Sequence, residues 1–189
     1  MTDHHRAMTA TAFTLFDTPV GTCALVWGEN GIVGTALPEA SDAATRARVQ
    51  RRFGALPDAA PPAELQAVIA RVQALLHGAP DDLTDIALDL RGVPAFNTRV
   101  YAYARGIPPG QTRSYGEVAA ALGEAAPMAR AVGQALGANP FPIIVPCHRV
   151  LAAGSRAGGF SAPGGTRTKL RLLEIEGARL GGTPGLFDR

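Results

Sequence analysis

The pattern that most constrains this chain changes at Gly92. From Ala12 to Pro38 apolar and polar residues alternate, and Thr18-Pro19 and Glu29-Asn30-Gly31 interrupt the alternation as turns, the spacing of a small antiparallel meander. Helical spacing follows over 41–53 and 62–77, the second with Leu65, Val68, Ile69, Val72, Leu75 and Leu76 on one stripe, and Gly78-Ala79-Pro80 ends it. A short strand over 85–90 is expected to complete a mixed sheet. Past Gly92 the strand signal is lost, and helical segments joined by short Gly/Pro loops take over. The expected organisation is a flexible start at 1–9, an α/β domain at 10–91 and a mainly α domain at 92–189.

Charge divides at the same place. Residues 1–91 hold seven arginines against eleven acids, and residues 92–189 hold eleven basic residues against five acids. Of the eighteen basic residues only Lys169 is a lysine. A basic half suits nucleic acid, although a solvated basic face gives the same count. No stretch approaches the roughly 18 apolar residues of a membrane span, and the start carries Asp3, His4, His5 and Arg6 instead of an apolar run. A cytoplasmic protein without a membrane contact is expected.

The strongest local signals lie in the second half. FNTRVYAYAR at 96–105 is one helix, stopped by IPPG. Ser114-Tyr115-Gly116-Glu117 has the form of a capping box opening a helix through Leu122, which Gly123 ends. Pro127 suits a first helical position, and MARAVGQAL at 128–136 runs on to Gly137-Ala138-Asn139-Pro140. Two short helices and a brief turn fit a helix-turn-helix, or a plain packing hairpin. Arg130 falls early in the second helix, where recognition residues sit, and Ala129, Ala131 and Gly133 leave it thin enough for close approach to a groove.

PCHRV at 146–150 carries the reactive groups. A free thiol is only a few per cent ionised near neutrality, so a nucleophilic Cys147 needs a base or a cation beside it. His148 is the candidate base, but adjacent side chains point apart, so a bridging water is expected between them, with an acid orienting the imidazole. A buried structural thiol is the alternative for Cys147. Adjacent Cys and His make a poor metal pair, and zinc on Cys23, His4, His5 and His77 is the remaining metal reading. Cys23 itself fits the core of the meander.

IPPGQTRSYGEVA, ARAVGQAL, NPFPIIVPCHRV, GGFS and LLEIEGARL, in that order over 107–180, resemble the C-terminal domain of the O6-alkylguanine-DNA alkyltransferases, the methylated-DNA–protein-cysteine methyltransferases. The strands and helices before them resemble that family's small ribonuclease-H-like N-terminal domain in order and size. The resemblance implies a winged-helix-like helix-turn-helix in the second half. It implies Cys147 as alkyl acceptor, His148 as its base through a water, and Glu176 as the acid holding the imidazole. Tyr115 would give a proton or hydrogen bond to the departing guanine, while the backbone near Val150 with Ser161 would hold the flipped base. Arg130 would fill the gap in the duplex, and Asn139 would tie the helices to the active-site segment. Ala129, Gly133 and Ser114 would lie at the DNA interface, in the minor groove.

The chemistry implied is direct reversal of alkylation damage in double-stranded DNA. The damaged guanine leaves the stack, the Cys147 thiolate takes the alkyl carbon from O6, and the thioether product is inert, so one molecule acts once. No cofactor and no metal is needed, a monomer suffices, and O4-alkylthymine is a further candidate substrate. Other classes compete. A non-catalytic lesion sensor would lack Cys147, a sequence-reading regulator would need longer polar side chains on 128–136, and a Cys-His hydrolase would need direct Cys-His contact and an oxyanion hole.

Overall fold

The computed structural model describes residues 9–154 and 162–178. Three strands, β1 (Ala10–Thr18), β2 (Gly21–Gly28) and β3 (Gly31–Ala36), form an antiparallel meander in the order β1-β2-β3. Phe16 faces Cys23 across the first pair and Ala24 faces Ala36 across the second. Two-residue connections at 19–20 and 29–30 close the hairpins, and Gly31 follows the second with φ +114, open to glycine and strained for other residues.

The sheet is antiparallel rather than mixed. The expected strand over 85–90 reduces to one parallel bridge, Leu88 to Ile32, with the Asp89 N–H donating to the Ile32 carbonyl at 2.8 Å. The acidic run before it folds as turns, in which Asp81 and Asp85 grip Arg71 at 2.7 and 2.8 Å.

α1 (Asp42–Phe53) starts at the Ser41 cap and α2 (Ala63–Leu76) runs along the predicted stripe. α3 (Ala95–Arg105) opens the second half. β4 (Arg113–Ser114) leads into α4 (Tyr115–Ala121), and a 3-10 turn over Ala126–Met128 leads into α5 (Ala129–Gly137). β5 (Val150–Leu151) pairs in parallel with β4, and α6 (Gly165–Ile175) closes the described chain.

One apolar core runs through both halves, joining Cys23, Leu25 and Leu37 of the meander to Val100, Val118, Val132 and Ile144. A second cluster, Phe13, Val26, Val33 and Val49, fills the space between the sheet and α1. The outer edge of β3 holds the chain ahead of PCHRV: the Thr35 N–H donates to the Pro140 carbonyl at 2.9 Å and its hydroxyl to the Pro142 carbonyl at 2.7 Å. That segment bends through Ile143 at φ +79, a costly conformation for a β-branched residue. No described helix is long and apolar enough to cross a membrane.

Candidate active site

Pro146 ends the bent segment, and Cys147–Arg149 form a single 3-10 turn, all three side chains buried. β5 follows directly and pairs with β4, so Tyr115, the first residue of α4, lies beside the turn. α6 returns across the same place and delivers Glu176 at its C-terminal cap.

His148 Nε2 is 2.8 Å from Glu176 Oε1. Burial alone would raise the Glu176 carboxyl; the hydrogen bonds and charges of His148 and Arg149 outweigh it and hold the group at about 2. A carboxylate only accepts, so Nε2 carries the proton and Nδ1 is left as the basic nitrogen. Nδ1 is buried and has no hydrogen-bond partner among the described residues. Burial also lowers the His148 pKa, against the pull of Glu176, which keeps the ring neutral and able to take a proton.

Cys147 has its thiol raised by burial. An Asn139 hydrogen bond, the Lys169 charge and the N–H groups of Cys147 and His148 act the other way, favouring the thiolate. No hydrogen bond joins the Cys147 and His148 side chains among the described residues. Tyr115 is raised by burial and then by the Cys147 charge, so its phenol keeps the proton it would donate.

Asn139 is pinned at both ends: Nδ2 donates to the Val145 carbonyl at 2.9 Å and Oδ1 accepts from the Phe141 N–H at 2.8 Å. Ser114 Oγ accepts from the Glu117 N–H at 3.1 Å while Glu117 Oε2 accepts from the Ser114 N–H at 2.6 Å, so this hydroxyl serves the helix cap. Arg130 stands apart on the exposed face of α5, in line with Gln134 and Ala138. Gly133 and Ala129, expected on that face, are half-buried, and a Cβ on Gly133 would meet the Tyr115 ring at 3.9 Å. Ser161, His4 and His5 lie outside the described residues.

Two buried cations escaped the sequence reading. Arg149 forks onto Glu176, Nε to Oε2 at 2.9 Å and Nη2 to Oε1 at 2.8 Å, and donates to the Ile107 carbonyl at 2.6 Å. Lys169 donates to the Val150 carbonyl at 2.6 Å and lies 5.7 Å from the Tyr115 ring centre. Burial lowers it from 10.5 to about 8, against the Cys147 charge. Its signal was present: one lysine in a chain that otherwise uses arginine. No group of three or more potential metal ligands occurs among the described residues. Cys23 is core, its thiol pushed up to about 12 by burial, and His77 is exposed, its Nδ1 2.8 Å from the Gln73 carbonyl.

A buried thiol, a neutral imidazole oriented by an ionised acid and a phenol beside them are the parts of a transferase that uses its own cysteine as acceptor. Residues 95–178 match the family model described as 6-O-methylguanine DNA methyltransferase, DNA binding domain. The methylated-DNA–protein-cysteine methyltransferase of Mycobacterium leprae is 39% identical over 174 residues, 91% of this chain and 96% of that protein. The one from Methanothermobacter thermautotrophicus is 32% identical over 84% of this chain and 81% of its own. The crystal structure of Mycobacterium tuberculosis OGT in complex with DNA superposes with a TM-score of 0.68 at 36% identity, over 88% of this chain and 93% of that one. The chain belongs to the methylated-DNA–protein-cysteine methyltransferase family. It is an enzyme that transfers an alkyl group to cysteine.

Proposed function

We propose that this protein repairs alkylated double-stranded DNA by moving the alkyl group of O6-alkylguanine onto Cys147 in a single irreversible event. One observation carries the reading: an imidazole locked by Glu176 presents an unpaired basic Nδ1 one residue from a buried thiol. The thiol proton passes through a water to Nδ1. Sγ then attacks the alkyl carbon in line, the carbon–O6 bond breaks, and its electron pair goes to the guanine, which takes a proton from Tyr115. The S-alkylcysteine formed is a thioether without a leaving-group path back, so each molecule acts once.

DNA is engaged through α4 and α5, read as a winged-helix-like helix-turn-helix with α5 in the minor groove. Arg130, exposed and early in α5, fills the gap left by the flipped base, the backbone near Val150 holds that base, and Asn139 ties the two helices to the active-site segment. The chain divides at Arg91 into a ribonuclease-H-like domain at 10–91 and the catalytic domain at 92–189, and it acts as a monomer. O4-alkylthymine fits the same chemistry, since its alkyl group also sits on an exocyclic oxygen of the base.

The test is intact-protein mass spectrometry after incubation with a duplex carrying one O6-methylguanine, with peptide mapping. A gain of one methylene on Cys147, at one equivalent and no further, is expected. Tight binding with Cys147 unmodified would overturn transfer and leave a lesion sensor or regulator.

A further inference from the structure

A cleft of about 380 Å³ opens at Cys147 on a wall that Tyr115 and Val150 do not line. Arg48, Arg51 and Arg52 from α1 face it, opposite Gly137 and Pro142. None of the described residues lining it is acidic. Of the three arginines, Arg48 is paired with Glu39 at 3.1 Å and Arg52 donates to the Asn139 carbonyl at 3.4 Å. Arg51 is exposed and has no carboxylate partner among the described residues. Three arginines crowd one helix face in the half of the chain that is otherwise acidic.

In-line displacement places Sγ, the reacting carbon and O6 on one axis, so whatever else the reacting carbon bears projects sideways from it, beside Cys147. We propose that this cleft receives the O6 substituent and that its arginine wall selects for substituents ending in an anion, with O6-carboxymethylguanine the simplest case. The inference rests on the transfer reading above and extends it to the class of lesion. The step balances as for a methyl group: Sγ–CH2 forms, CH2–O6 breaks with its electron pair leaving on guanine, and the carboxylate rides through unchanged as S-carboxymethylcysteine. An arginine fork matches a carboxylate in shape as well as charge, which a neutral amide of the same size cannot reproduce.

Three duplexes test it, each with one O6-methylguanine, O6-carboxymethylguanine or O6-carbamoylmethylguanine, reacted in single turnover with the wild-type chain and with Arg51→Gln. Arg51→Gln should lower the carboxymethyl-to-carbamoylmethyl rate ratio by about threefold to tenfold, the scale of a partly exposed charge-assisted contact, and leave the O6-methylguanine rate unchanged. Arg48→Gln combined with Arg51→Gln should lower the ratio further. An unchanged ratio in both variants overturns the proposal. So does an equal fall on all three duplexes, which would assign Arg51 to the DNA backbone; free O6-carboxymethylguanosine separates the two sources, because it has no phosphate and should still show the loss. If the wild-type chain does not alkylate Cys147 from O6-methylguanine, the transfer reading fails. The cleft is then judged by the Kd ratio of the carboxymethyl and carbamoylmethyl duplexes, which Arg51→Gln must lower for the proposal to stand.

Discussion

Both carboxylate oxygens of Glu176 are in use, Oε1 by His148 and Arg149, Oε2 by Arg149 and by the Gly110 N–H at 3.4 Å. A carboxyl brought from 4.5 to about 2 by folding stabilises the native state fully above pH 4.5, and that contribution is lost as pH falls through 2. The side chain is 4% exposed, so solvent screens it little, and the shift corresponds to about 3 kcal/mol. Glu176→Gln should cost about 3 to 5 kcal/mol at pH 7, because it strands Arg149 in the interior. Urea midpoints measured from pH 5 down to pH 2 should show the variant with a smaller acid-dependent loss than the wild-type chain, the remainder coming from the other lowered carboxyls such as Asp81 and Asp89. Lys169 acts on Cys147 through charge. Lys169→Met should raise the thiol pKa, read as a shift to higher pH of the iodoacetamide reaction profile, whereas a superimposable profile would remove Lys169 from the thiol's environment.

At the scale of elements, the helices were legible because their signals are local. The Ser114 and Glu117 capping box sits where the S-x-x-E pattern put it, and Ser114→Ala should cost about 1 kcal/mol in a denaturant titration. The strand over 85–90 was not legible, because the edge of β3 is shared: the Leu88 segment covers one end and Pro140 with Pro142 the other, leaving room for a bridge and no ladder. The sequence presents Gly133 as a bare groove-facing position, but helix periodicity does not say which face the partners take, and it turns toward Tyr115. Gly133→Ala should therefore raise helix stability by about 0.5 to 1 kcal/mol with transfer intact, the new methyl group in ordinary contact with the ring. Gly133→Leu should displace Tyr115 and slow transfer at least tenfold with duplex affinity kept. Equal rates for Gly133→Leu and the wild-type chain, measured in single turnover, would show that the phenol is not held from this side.

Over the whole molecule the split in charge and pattern at Gly92 hides a shared interior, since the core passes through both halves. Cys147 and His148 were legible in PCHRV, whereas Glu176 was named by the resemblance alone. Arg149 and Thr35 were not, because their partners, Ile107 and Pro142, lie 42 and 107 residues away and share no pattern with them. Thr35 makes the link testable. Its hydroxyl is the buried donor for the Pro142 carbonyl, five residues ahead of Cys147, in the segment bent at Ile143. Thr35→Val keeps the shape, removes the donor and leaves that carbonyl unpaired, at a cost of about 1 to 3 kcal/mol. If the sheet edge holds the thiol in register with His148 and Tyr115, transfer from O6-methylguanine should slow severalfold at temperatures where the variant is fully folded, with duplex affinity unchanged because α5 and Arg130 lie elsewhere. A variant that loses stability but transfers at the wild-type rate would show that the Thr35 hydroxyl does not set the thiol's position, and that the Thr35 N–H bond to the Pro140 carbonyl, which valine keeps, together with Asn139 holds the Pro140 to Cys147 segment.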